Sequence, residues 1–229
     1  MSRFLRASNS LFLHIPRTGG TWVKSVIAAG GIRSCQCNGK GPWSHCLIGH
    51  YEKEWFERFD FFFSFVRHPL SYYESAWKYC CEKTRSPLGP KALCRWKMHP
   101  FSKVCRVHEE LKCENFDRWV EGVLEHEPCW YTRLIESFVG PEYREFHQFI
   151  GRTETIHQDL SDVLCHLGHK IDEDLVRDHP RKNVNSRKII WNSDLKARVL
   201  FGERDMIKRF YGEKTTDKRW YERMEGVWG

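Results

Sequence analysis

Residues 14 to 22 read HIPRTGGTW. The residue types in this short stretch suit one kind of chemistry, the capture of an anion. Two adjacent glycines, Gly19 and Gly20, let the backbone turn tightly, so that successive N–H groups face a common point. A helix starting there adds the positive end of its dipole. Arg17 contributes a cation, and the hydroxyls of Thr18 and Thr21 contribute donors. Phosphate is the natural occupant of such a cradle. A plain tight turn with a capping threonine would be built from the same residues.

A second constellation follows. The run FDFFFSFV, residues 59–66, ends in Arg67, and Ser75 comes eight residues later. A strand that ends in a cation points to a second anion. A magnesium site would call for an acidic residue there. The first loop likewise does not match the G-x4-G-K-[ST] pattern of nucleotide triphosphatases, because Lys24 and Ser25 come too late after the glycines.

With both stretches in view, the chain resembles the sulfotransferases that use 3'-phosphoadenosine 5'-phosphosulfate (PAPS). HIPRTGGTW is similar to their 5'-phosphosulfate loop, whose form in the Golgi-type and bacterial carbohydrate branches is close to H-I-P-K-T-G-G-T. FVRHPLSYYESAW resembles their 3'-phosphate motif. IGRTETIHQDLSDVLCHLG is similar to a later strand-helix unit, and NVNSR gives a weaker match. The resemblance implies a P-loop-like fold, PAPS as donor and 3'-phosphoadenosine 5'-phosphate (PAP) as product, with no metal. It places Arg17, Thr18, Gly19, Gly20 and Thr21 at the 5'-phosphosulfate, and Arg67, Ser75 and Arg152 at the 3'-phosphate. Trp22 is either a neighbour of the adenine or, the favoured alternative, a core residue of the first helix. Arg152 could equally be a solvated helix-end residue. Glu154 is expected to fix the loop near the donor, and Lys24 to face solvent. Arg17 stands where the family usually has lysine, which keeps the charge but changes reach and hydrogen-bond geometry.

Sulfuryl transfer needs a base for the acceptor's proton and cations for the charge growing on the leaving phosphate. In LIGHYEKEWFERFDFFFSFVRHP the Gly-His pair before the second strand is similar to the layout of the heparan and chondroitin uronyl 2-O-sulfotransferases. That resemblance makes His50 the candidate base. His45 is its nearest substitute, and His14 is expected to be structural. The acceptor is then a hydroxyl, of a carbohydrate by this branch, although one fold serves many acceptors. The rivals are a P-loop phosphotransferase or nucleotide kinase and a non-catalytic polyanion-binding module.

These residues need elements to hold them. Residues 11–15 are a short apolar run that reads as a buried strand, and Trp22, Val23, Val26 and Ile27 recur at helical spacing until Gly30 and Gly31. Residues 32–49 read mostly as loop with a short strand near 46–48, and residues 52–59 as a short helix. Residues 59–66 form the strongest strand, apolar on both faces as in a parallel sheet. Pro69 suits the first turn of the next helix, which Tyr72, Tyr73, Ala76 and Trp77 continue. Residues 82–114 lack periodicity, and a segment of about 82–127 is expected to be an insertion or lid. Within it, residues 116–124 look helical. Residues 146–150 suggest a strand, Thr155 with Gln158 a capping box, and Ile156 through Leu167 a helix. Residues 171–187 read as polar loop, and 194–211 as one or two amphipathic helices. The expected whole is one α/β domain over residues 1–229, with a central, mostly parallel sheet flanked by helices.

Composition agrees. A length of 229 residues with 41% hydrophobic and 29% charged residues fits one folded domain. The net charge of +7 favours anionic partners, yet no long Lys/Arg run suggests nucleic acid. No stretch approaches the about 20 apolar residues of a membrane span, and the N-terminus makes a poor secretory signal, so the chain reads as cytoplasmic. The ten cysteines lack paired C-x2-C spacings, and free thiols are preferred to disulfides or zinc.

Overall fold

The computed structural model describes residues 2–36, 58–84, 115–139, 148–180 and 189–212, without the side chains at 36, 82–84 and 148. The described residues form a five-stranded sheet. Its strands are β1 (Arg3–Leu5), β2 (Ser10–Phe12), β3 (Ser34–Gln36), β4 (Phe61–Val66) and β5 (Gln148–Arg152), in the spatial order β3-β1-β2-β4-β5. β1 pairs antiparallel with both β2 and β3, whereas β2, β4 and β5 pair in parallel, with Leu11 opposite Phe62 and Val66 opposite Arg152. Four strands therefore share one direction and β1 opposes them.

Both faces are covered. Phe61, Phe63 and Phe65 of β4 pack with Phe149 against α1 (Gly20–Ala29), α5 (Ile156–His166) and α6 (Glu173–Asp178). A second cluster joins Ile15 and Val66 to α2 (Pro69–Thr84), α3 (Phe116–His126), α4 (Trp130–Val139), α7 (Ser193–Gly202) and α8 (Arg204–Tyr211). All six residues of β4 are buried, as its continuous apolar run requires. Ser64, the polar exception, donates its hydroxyl to the Leu13 carbonyl at 2.8 Å.

Several boundaries differ from the sequence expectation. The strand expected over residues 11–15 leaves the ladder after Phe12, although the Leu13 N–H still reaches the Phe63 carbonyl at 2.8 Å. β1 and β3 are three-residue strands that carry no readable alternation. α6 lies inside the stretch read as polar loop, and α3, inside the expected insertion, buries Phe116, Trp119, Val120 and Val123. The capping box does not form. Thr155 donates instead to Asp159 Oδ2, Gln158 donates to Asp162 Oδ1, and a 3-10 turn over Thr153–Thr155 leads into α5. The strand near 46–48, residues 52–57 of the helix expected over 52–59 and residues 85–114 lie outside the described residues, and residues 58 and 59 are not helical. Among the described residues no helix is long and apolar enough to cross a membrane.

Candidate functional site

The chain leaves β2 through α1 to β3 on one side of the sheet, and leaves β4 to β5 on the other side. The carboxyl ends of β2 and β4 thus flank a point where the strand order reverses, the place where open α/β sheets form a crevice. The two singled-out stretches follow these two strand ends.

At the first, Leu13 to Ile15 carry the chain off the sheet, and a turn returns it into α1. Arg17 (φ 67°) and Gly19 (φ 82°) both take left-handed backbone conformations, which is costly for an arginine. The two glycines answer different demands. Gly19 needs its positive φ, and a Cβ there would also stand 2.6 Å from Ile156 Cδ1. A Cβ on Gly20 would stand 1.9 Å from the His14 ring, so His14, itself buried, packs directly under the turn. Thr18 is buried and donates its hydroxyl to the Ile15 carbonyl at 2.9 Å. Its side chain therefore closes the turn. Trp22 and Val23 donate the first helical N–H bonds, both to Gly19 O, so helical geometry supplies no acceptor for the N–H groups of Gly20 and Thr21. Thr21 is exposed beside them.

At the second strand end, the Arg67 backbone N–H donates to the Tyr131 hydroxyl (2.8 Å) and its Nε to Ser71 Oγ (3.1 Å). Arg67 Nη1 lies 3.5 Å from the Arg17 carbonyl oxygen. Arg17 Nε in turn donates to Ser75 Oγ at 3.0 Å, with its guanidinium 5.1 Å from the centre of the Tyr79 ring. Arg17, Arg67 and Ser75, 58 residues apart at their widest, thus form one connected cluster. The ion pairs among the described residues do not include Arg67. An arginine whose described partners are hydroxyl and carbonyl oxygens keeps its charge for an anion.

The neighbouring turn completes the frame. Thr153 donates its hydroxyl to the Val66 carbonyl, and Glu154 accepts from the His68 N–H (2.9 Å) and from the Tyr211 hydroxyl (2.8 Å). Arg152 stands in register with Val66, one residue before Arg67, and its guanidinium lies 5.9 Å from the centre of the Tyr211 ring. Its N–H donates to Asp159, whose carboxyl burial holds above the usual range against the pull of that bond. Trp22 belongs to the core, with its ring N–H on the His179 carbonyl and its ring 4.7 Å from that of His157. Lys24 is half-buried, and burial lowers its amine.

His50 and His45 lie outside the described residues. Ser71 and Tyr131 escaped the sequence reading, and Tyr79, expected with the stretch up to Trp96 to line an acceptor cleft, lies against Arg17. Ser71 had a local signal, one helical turn after Arg67, but Tyr131 reaches the site only through the tertiary fold. Of the described cysteines, Cys35, Cys129 and Cys165 are free thiols. Among the described residues no group of three or more His, Cys, Asp or Glu side chains is placed to hold a metal ion. No family model, curated protein or solved structure matches the chain.

Proposed function

We propose that the protein is a sulfotransferase that moves a sulfuryl group from PAPS to an acceptor hydroxyl, a carbohydrate hydroxyl by the motif resemblance. One observation carries the proposal most. The Arg17–Ser75 hydrogen bond and the approach of Arg67 to the Arg17 carbonyl bring the first loop and the second motif into one cluster. A ribose bearing 5'- and 3'-phosphates presents two separate anions, and cations on two adjacent strand ends offer one to each.

The N–H groups of Gly20 and Thr21 and the dipole of α1 receive the 5'-phosphosulfate. Arg67 and Ser75 receive the 3'-phosphate, with Arg152 close in the same register. Arg17, which Ser75 holds in the free protein, is the cation placed to meet charge on the leaving 5'-phosphate. The acceptor hydroxyl surrenders its proton to His50 as its oxygen bonds to sulfur and the sulfur–phosphate oxygen bond breaks, leaving PAP.

Labelled PAPS offered with a panel of sugars, phenols and lipids tests this. Magnesium-independent transfer to a hydroxyl acceptor is expected, with His50→Ala retaining PAP binding and losing transfer. Transfer of phosphate from ATP and magnesium, with none of sulfate from PAPS, would overturn the proposal. Full turnover by His50→Ala would remove that residue from it.

A further inference from the structure

Tyr72 is fully buried, yet its hydroxyl has no hydrogen-bond partner among the described residues. Buried hydroxyls are nearly always paired, and an orphan calls for a partner beyond the described residues. Its position indicates which. Tyr72, Ser75 and Tyr79 recur at i, i+3 and i+7 and so share one ridge of α2. Arg17 lies along that ridge, on Ser75 Oγ and over the Tyr79 ring. The Tyr72 ring also stacks on Tyr131, with centroids 3.7 Å apart and planes 14° from parallel, and the Tyr131 hydroxyl accepts from the Arg67 N–H. The unpaired hydroxyl therefore belongs to a ring packed among the supports of both arginines.

We propose that Tyr72 is a further ligand of the 3'-phosphate, its hydroxyl donating to a phosphate oxygen when Arg17 leaves Ser75 for the 5' end of the donor. The inference rests on the donor assignment above. Burial, and after it the Tyr131 phenol, push the Tyr72 phenol well above its ordinary value, against the pull of Arg17 and Arg67. It stays an O–H donor wherever the protein is folded, and phosphate oxygens are acceptors. A neutral donor beside two guanidinium groups adds a directed contact to the anion without adding charge.

Tyr72→Phe removes the oxygen and keeps the ring packing. Calorimetry with PAP and with adenosine 5'-monophosphate, alongside thermal unfolding, separates the outcomes. PAP affinity is expected to fall about tenfold, or about 1.4 kcal/mol. Affinity for the monophosphate should be unchanged, and Tm unchanged or raised, because an orphaned hydroxyl has gone. Unchanged PAP affinity would overturn the proposal, and a lowered Tm with it would assign the hydroxyl to the fold. An equal loss for both nucleotides would also overturn it, since the contact would then not be to the 3'-phosphate. Failure of the unaltered protein to bind PAP is a different result, which sinks the donor assignment itself.

Discussion

Arg17 is the residue on which the proposed chemistry turns. A lysine in its place would offer a point charge on a flexible stem, whereas the guanidinium presents a planar fork that can donate from Nε while its Nη atoms point elsewhere. Here Nε is engaged by Ser75 and the planar group lies over Tyr79, so the cation is positioned before any ligand arrives. His68, next to Arg67, gives a prediction at the same scale. Burial lowers its imidazole below the ordinary 6.5, the Glu154 charge opposes this, and Lys196 adds to it. A lowered histidine favours the neutral form in the folded state. Its contribution to stability is therefore complete above the unfolded value and is lost as pH falls through 6.5 toward the folded value. An NMR titration of His68 should show a midpoint below 6.5, and Glu154→Gln should lower it further. A midpoint above 6.5 would contradict the burial seen here.

At the scale of elements, the support of Arg67 runs back to a buried carboxylate. Glu203, between α7 and α8, is 1% exposed. It accepts from the Tyr73 hydroxyl (2.8 Å), the Tyr131 N–H (3.1 Å), the Thr132 N–H (2.8 Å) and the Thr132 hydroxyl (2.6 Å). It thus pins the positive end of α4 to α2, and α4 carries the Tyr131 hydroxyl to Arg67. Glu203→Ala strands four donors, two of them buried and two half-buried, and should cost about 3 kcal/mol or more, a fall in Tm on the order of 6 °C or more for a chain of this size. A thermal melt within a degree of the unaltered protein would show that the carboxylate is dispensable.

The same carboxylate explains part of what the sequence conceals. The start of α4 has a capping group supplied about 70 residues away, so no local Ser, Thr, Asp or Asn announced it. α6 buries one side chain, Val176, too few for periodicity to show. By contrast α1, β4 and the start of α2 were legible because Gly30, the phenylalanine run and Pro69 mark them locally. Arg17, Arg67 and Ser75 could be named from their stretches. Their mutual contact could not, since it depends on two strands meeting at their carboxyl ends.

For the whole molecule, the sheet is filled on both faces by aromatic and aliphatic side chains, and the carboxyl ends of β2 and β4 flank the reversal of strand order, where open α/β sheets form a crevice. A net charge of +7 biases the surface toward anions, and the Arg17–Arg67 cluster gives that bias a location. The central claim is that this location binds one nucleotide by two separate phosphates. Isothermal calorimetry in magnesium-free buffer, with PAP and adenosine 5'-monophosphate titrated in turn into the protein and into Arg67→Ala, tests it most directly. PAP should bind the unaltered protein more tightly than the monophosphate, and Arg67→Ala should weaken PAP at least about tenfold, as loss of a charge-assisted hydrogen bond implies, while leaving the monophosphate little changed. Equal affinity for the two nucleotides, or PAP binding indifferent to Arg67→Ala, would contradict it.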